Sequence, residues 1–401
     1  MASVGLCCAL LPVILTGAAW LVLTVPFLQS QIVFLHALSW PPVNFSTPHL
    51  AYPAALAGWP RTMDALHLFP GLVGATAHRV DDRLGVWRVP RSSSCSKEHP
   101  PVTALYMHGN GESRGFAHRK LRVLGAPPFC ATVFTFDYSG FGDSAGQPSE
   151  RALVDDAARV WSWIGHLTTV ELGPEATQQH AGLLYGHSLG GAVALALAAR
   201  LASDESKAAA GGVPFRALVL DSTFTNITDV AASKLSWLGG SLRPRARQLI
   251  NENAATHFDS RESAKALCRC AARTHPAAGI TTDDEAPTAC PAVLVVHGTD
   301  DWVVPLALGR QLFGRLVTAL DVALKNEEKK PLQKFTRGRP KEQPLRLCGG
   351  ARFELVARRG VLSDARRALS TGTTRGCRSS GQWQRARGTK TRLTTRACGK
   401  R

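Results

Sequence analysis

From about residue 75 the chain alternates short apolar runs with stretches of helical spacing. "RLGVWRVP" (83–90) reads as an early strand, and "VTALYMHGN" (102–110) as a strand that ends in a polar glycine turn. "TVFTFDYSGFGDS" (132–144) repeats that plan. In "SERALVDDAARVWSWIGHL" (149–167), Leu153, Ala157, Val160, Trp161 and Ile164 recur at helical intervals behind Ser149, a good N-cap residue. "AGLLYGHS" is again a strand and "LGGAVALALAARLA" (189–202) a helix. "RALVLDSTF" (216–224) and "PAVLVVHGTDDWVVP" (291–305) supply two more strands, the second leading into a helix over roughly 306–320. Strands alternating with helices predict an α/β fold, a mostly parallel sheet with helices on both faces. The runs "TALYM", "TVFTF", "LVL" and "AVLVV" are apolar throughout, as strands covered on both sides are. The polar and glycine residues at their C-terminal ends lie where such sheets bind ligands.

Residues 225–290 interrupt the rhythm with "SKLSWLGGSLRPRARQLI" and a polar insert, and are read as a cap over the site. After about 322 the periodicity fades, except that "ARFELVARRGVLSD" (351–364) can supply a final strand and turn. The N-terminus is the reverse case, with no Asp, Glu, Lys or Arg before Arg61. Its run "LCCALLPVILTGAAWLVLTVPFL" (6–28) is 23 uncharged residues, long enough to cross a bilayer core of about 30 Å as a helix. A secretory signal peptide has a basic leading region and a shorter apolar stretch, so an N-terminal transmembrane helix is the expectation. "IVFLHAL" (32–38) then suits the membrane interface. The predicted organisation is an anchor over 1–40, a linker over 41–74, an α/β domain over 75–321 and a basic tail over 322–401, disordered or aberrant.

Charge refines this map. The net charge of +17 looks like a nucleic-acid signal until it is located. Residues 325–401 hold 22 basic and 5 acidic residues, so the whole excess sits there and the rest of the chain is neutral. The tail's aromatics are Phe335, Phe353 and Trp383, with no stacking platform or base-reading motif, so no nucleic-acid partner is expected. Ten cysteines give no disulfide framework. Cys7 and Cys8 lie in the apolar run. Cys268, Cys270 and Cys290 with His275 resemble a ligand set, but their spacing matches no zinc pattern. A loop with one disulfide is the better reading, and neither metal nor cofactor is expected. Sequons stand at Asn44 and at Asn226. The first suits a lumenal or extracellular body, whereas the second lies in a turn expected to be packed under the cap.

The chemistry concentrates in "LLYGHSLGGAV" (183–193). Gly186-His187-Ser188-Leu189-Gly190 fits the G-x-S-x-G nucleophile elbow, with a strand before it and a helix after it. Ser188 is the candidate nucleophile, and the backbone N–H of Leu189 one oxyanion donor. A second donor is the N–H of Asn110, in the turn "HGNG" (108–111). Each such donor is typically worth about 3–4 kcal/mol of transition-state stabilisation. "HGTDDWVVP" offers Asp301 as the triad acid, with Asp300 second and Asp221, on the preceding strand, third. The base is missing. In this arrangement a histidine follows the acid, but the last of the 13 histidines is His297, and none of the next 104 residues is His. Its expected place is near Gly360–Ser363, where Val361 stands. His108, His187 and His297 are read as supporting or packing residues, with Gly109, Gly186 and Gly190 completing the motifs.

Together "YMHGNGESRG…HRK", "FDYSGFGDSAGQPSE", "GHSLG", "DSTFTN" and "HGTDDWVVP" resemble the α/β-hydrolase domain-containing protein 12 group over roughly residues 80–320. The resemblance implies an α/β-hydrolase fold with a cap insertion and a single N-terminal anchor in the endoplasmic reticulum membrane, the catalytic body lying on its lumenal side. It also implies a serine hydrolase acting on carboxyl esters of single-chain lipids, of the lysophosphatidylserine or monoacylglycerol type. Ser188 and Asp301 match the group's nucleophile and acid, and the group's histidine has no counterpart here. The alternative is a catalytically inactive, lipid-binding pseudoenzyme or truncated isoform.

Overall fold

The apolar runs build one sheet whose two faces are both dry. In a computed structural model, the structure describes residues 29, 34–35, 45–46, 72, 74–96, 98–203, 212–235, 242–273, 291–328, 353–358, 377–379 and 396–398. The predicted anchor (6–28) and Asn44 lie outside them. Among the described residues no helix is long and apolar enough to cross a membrane. The strands are β1 (Thr76–Val80), β2 (Leu84–Val89), β3 (Val102–Met107), β4 (Ala131–Phe136), β5 (Ala181–His187), β6 (Phe215–Asp221), β7 (Ala292–Gly298) and β8 (Phe353–Arg358). They form a sheet of order β1-β2-β4-β3-β5-β6-β7-β8. β2 runs antiparallel to both β1 and β4, and every later pairing is parallel. All strands from β3 onward therefore end at the same edge.

Two apolar clusters sandwich this sheet, because alternate residues of each strand point to opposite faces. Leu105, Met107, Leu184, Leu218 and Val295 belong to one cluster, and their neighbours Ala104, Tyr106, Leu183, Val219 and Val296 to the other. The second face is covered by Leu121 and Leu124 of α1 (His118–Gly125). The first is covered by α2 (Glu150–Leu172) and by α4 (Leu189–Ser203), which comes after the short α3 (Pro174–Gln179). Ser149 caps α2, its hydroxyl accepting the Ala152 N–H, and all five residues of the predicted stripe are buried.

The insert predicted as a cap carries α5 (Ile227–Ser233), α6 (Leu242–Asn253) and α7 (Ser260–Arg273). Of these, α7 packs on α4 and on α8 (Leu306–Glu328), so this helix covers the sheet. Its Cys268 is buried there, with Sγ 3.6 Å from the Leu316 carbonyl oxygen. The side chain of Cys270, and all of His275 and Cys290, lie outside the described residues. Among the described residues a disulfide joins Cys95 to Cys130, tying the segment after β2 to the start of β4. α8 runs on to Glu328, beyond the 320 expected from its spacing, and β8 extends the sheet inside the segment read as tail. Residues 362–401 form a separate unit in which β9 (Cys377–Ser379) pairs antiparallel with β10 (Arg396–Cys398).

Candidate active site

Ser188 occupies the turn between β5 and α4 with a positive φ of 52°. A non-glycine residue there carries strain of order 1–3 kcal/mol and persists only where its surroundings over-determine it. They do so here. The Ser188 N–H donates to the Asp221 carbonyl at 2.8 Å, while its own carbonyl accepts the Gly191 N–H at 2.9 Å and the Thr223 hydroxyl at 2.7 Å. The flanking glycines are required by contact rather than by φ. A Cβ on Gly186 would collide with the Gly190 carbonyl, and one on Gly190 with the carbonyls of Met107 and His108. β5, α4 and the end of β3 therefore close on one another around a partly exposed serine.

The turn after β3 is held from below and from the side. The Tyr138 hydroxyl donates to the His108 carbonyl at 3.0 Å, and the buried His108 ring packs 4.5 Å from that of Tyr138. Glu112 accepts the Gly109 N–H at 2.8 Å and lies 3.4 Å from Nδ1 of His187, so it links the turn to the elbow. Burial alone would raise the Glu112 carboxyl. The hydrogen bond and charge of His187, with Lys120 and the Gly109 N–H, outweigh burial and lower it to about 2. Further down, Arg114 donates through its backbone to Asp137 at 2.6 Å and through its guanidinium to Asp137 and to Asp143. Its guanidinium carbon sits 4.3 Å from the centroid of the Phe45 ring. Arg114 and Asp137 are both buried. Sequence reading missed this ion cluster, as it missed Glu112.

Asp301 follows β7. Its Oδ1 accepts the N–H groups of Val303 and Val304, both at 2.9 Å. Its Oδ2 lies 3.8 Å from Nε2 of His297. Asp300, beside it, is exposed. His297 is fully buried, with Nε2 2.8 Å from the Val304 carbonyl oxygen and the ring against Gly309. Asp221, the third candidate acid, is committed elsewhere: its carboxylate accepts the Tyr185 hydroxyl at 2.7 Å and pairs with Lys120 Nζ at 2.9 Å. The strand ends thus bring Ser188, Leu189, Asn110, Asp221 and Asp301 to one edge of the sheet. Val361 lies outside the described residues. Asn226, the second sequon, caps α5 through its side-chain oxygen and is 9% exposed, which leaves no room for a glycan.

Burial pushes the Asp221 carboxyl upward, but the Lys120 charge, His187 and the two hydrogen bonds together hold it below its usual range. A carboxyl lowered in the folded state contributes stability that is present above its unfolded value of 3.8 and lost as pH falls through the lowered one. Lys120→Met removes the partner of a buried charge, and Lys120 is itself partly exposed. The expected loss is therefore about 2 kcal/mol at pH 7, under the usual range for a fully buried pair. The gap between parent and variant should narrow as pH falls toward the lowered Asp221 value and close below it, where the carboxyl is protonated in both chains. Urea midpoints at pH 7 and pH 3 measure this.

The residues that meet at this edge have the sequence pattern of a known class. Residues 104–325 match the Alpha/beta hydrolase family, and the chain belongs to it. Among its relatives, the lysophosphatidylserine lipase ABHD12 of Danio rerio is 32% identical over 241 residues, 57% of this chain and 52% of that protein. The lysophosphatidylserine lipase ABHD12 of Bos taurus is 33% identical over 223 residues, 54% of this chain and 46% of that one. Protein ABHD12B of Homo sapiens is 30% identical over 217 residues, 52% and 48% of the two chains. The resemblance carried by the motifs is therefore to the same group. The chain spans about half the length of these curated relatives. Among solved structures, an alpha-beta hydrolase from Vibrio vulnificus is 14% identical, with a TM-score of 0.47 over 86% of this chain and 92% of that one.

Proposed function

We propose that the chain is a membrane-anchored serine hydrolase for carboxyl esters of single-chain lipids, of the lysophosphatidylserine or monoacylglycerol type. The observation that carries this reading is the backbone of Ser188, held at positive φ by three hydrogen bonds between glycines that admit no side chain. Such a turn lifts a serine Oγ clear of the sheet edge. Ser188 attacks the ester carbonyl, and the N–H groups of Asn110 and Leu189 hold the oxyanion. The alcohol leaves, and water releases the acyl group from Ser188. In Asp301 one oxygen is engaged by two backbone N–H groups, which fix the carboxylate, and the other lies 3.8 Å from Nε2 of His297; a carboxylate held in this way suits a group that orients an imidazole. The lipid substrate is supported by the names of the relatives. The Cys95–Cys130 disulfide supports a body facing an oxidising lumen or the cell exterior. Anchoring rests on the uncharged run 6–28.

One observation favours the second reading, an inactive lipid-binding protein or truncated isoform: no histidine stands among residues 302–401. Without one triad member, only the residual catalysis of the oxyanion donors and binding remains, roughly 10³–10⁴-fold over water. Labelling of the full chain in membranes with a fluorophosphonate probe separates the two readings. The expected result is slow labelling that disappears in Ser188→Ala and accelerates at least about tenfold in Val361→His, since a general base contributes typically 10²–10⁴-fold. Silence from parent and Val361→His alike would sink the hydrolase reading and leave the binding protein.

A further inference from the structure

The large apolar side chains that stand exposed among the described residues are unevenly placed. Val170, Leu172 and Val322 lie toward the C-terminal ends of α2 and α8, which start at the catalytic edge and run back to the opposite one. The other five lie on segments that meet the catalytic edge. Trp302, 82% exposed, and Val303 directly follow Asp301. Phe116 ends the loop that starts at His108 and is anchored by Arg114. Leu35 faces that same loop: a Cβ on Gly111 would stand 3.7 Å from the Leu35 Cβ. Leu249 sits one turn before Asn253, whose carbonyl accepts the Gln29 side-chain N–H at 2.7 Å.

Leu35 and Gln29 show where the N-terminal chain joins the body. Between them Phe34 is fully buried, its ring edge-on to Phe141 at 6.5 Å and to Phe258 at 6.3 Å. The apolar run ends at Leu28. Phe34 stands six positions further on, and six extended residues reach about 20 Å at most. A span over 6–28 would accordingly leave the bilayer within about 20 Å of Phe34, and the five exposed side chains form a collar on the edge that also carries Ser188. The collar's chemistry is interfacial. The Lys234 ammonium donates to the Trp302 carbonyl and lies 5.4 Å from the ring centroid, a pairing of aromatic body and cationic head suited to the boundary between acyl chains and headgroups. Exposed apolar side chains clustered in this way mark an interaction surface.

We propose that Leu35, Phe116, Leu249, Trp302 and Val303 form a docking face that seats the catalytic edge on the leaflet from which the anchor emerges. A single-chain lipid then passes from that leaflet to Ser188 without crossing bulk water. The proposal deepens the lipid-ester reading and rests on it for the identity of the lipid, but the contact itself is measurable without turnover.

The test uses the full chain reconstituted in phosphatidylcholine vesicles whose acyl chains carry bromine at shallow or deep positions, with tryptophan fluorescence as the readout. The chain has nine tryptophans, so the informative quantity is the difference between the parent and Trp302→Phe, a change at a side chain that supports no core. Shallow bromines are expected to quench a component that is lost in Trp302→Phe, and Ser188→Ala should leave that component intact. Identical quenching of parent and Trp302→Phe would overturn the proposal. So would a Trp302 component that ignores bromine but responds to protein concentration, since the collar would then face a second copy. Failed fluorophosphonate labelling together with intact quenching would reject the hydrolase reading while keeping the docking face.

Discussion

Arg114→Met is expected to unfold the chain more readily than any surface change, by about 3–5 kcal/mol. The reason is the company Arg114 keeps. Asp137 is completely buried, and its carboxylate depends on the Arg114 guanidinium, on the Arg114 backbone N–H and on nearby His108. Burial by itself would raise the Asp137 carboxyl, and the Arg114 charge, first among the opposing influences, brings it below the usual range. Removing the guanidinium leaves a buried carboxylate without its counter-charge and frees Asp143 to face Arg79 alone. Methionine also gives up the stacking of the guanidinium on Phe45 and Trp87. For a domain of this size the loss corresponds to a fall of roughly 6–20 °C in Tm. Arg114→Lys should fall between parent and Arg114→Met, because an ammonium keeps the charge without the planar stacking. Calorimetry or circular dichroism on the three chains settles the order, and a Tm for Arg114→Met within about 2 °C of the parent would refute this account. The consequence reaches the site, because Arg114 tethers the far end of the loop that begins at His108 and carries Asn110.

That ion cluster also shows what a sequence conceals. The strands from β3 to β7 were legible because a strand covered on both faces must be apolar at every position, and such runs are rare outside a sheet interior. The α2 stripe was legible because one buried face repeats every third or fourth residue, and the elbow because its glycines stand at fixed spacing around Ser188. These signals are local. Arg114 meets Asp137 across 23 positions, Glu112 meets His187 across 75, and Cys95 meets Cys130 across 35. No periodicity links such partners, and an arginine inside "GESRG" looks like any solvated charge. The packing of the insert read as a cap is hidden for the same reason. α7 pairs its apolar face with α4 and α8, and only the sheet tells that face from one lining a lid. Phe34 was assigned to an interfacial stretch, and its burial against Phe141 and Phe258 became visible only with the fold.

Gly190→Ala puts the elbow itself to the test, and its expected effect is as large. The added methyl would meet the carbonyl oxygens of both Met107 and His108, backbone atoms that cannot rotate aside as a side chain would. β3 and α4 would have to separate, yet β3 is paired on both sides, to β4 and to β5, and the start of α4 is fixed by the Gly191 N–H on the Ser188 carbonyl. Overpacking a tight core usually costs about 1–3 kcal/mol. With two rigid oxygens on one methyl the expected loss is about 3–4 kcal/mol, at the upper end of what single substitutions do. The functional consequence is separable from the stability loss. His108 opens the turn that holds Asn110, so displacing it moves the proposed oxyanion donor at Asn110 relative to the one proposed at Leu189 even in molecules that remain folded. Fluorophosphonate labelling of Gly190→Ala, measured well below its melting temperature, should therefore fall below the parent's by roughly 10²-fold, the typical effect of losing one oxyanion donor. Labelling at the parental rate in a folded Gly190→Ala chain would mean that the close approach of α4 to β3 serves packing alone, and that the Asn110 N–H has no part in holding the oxyanion.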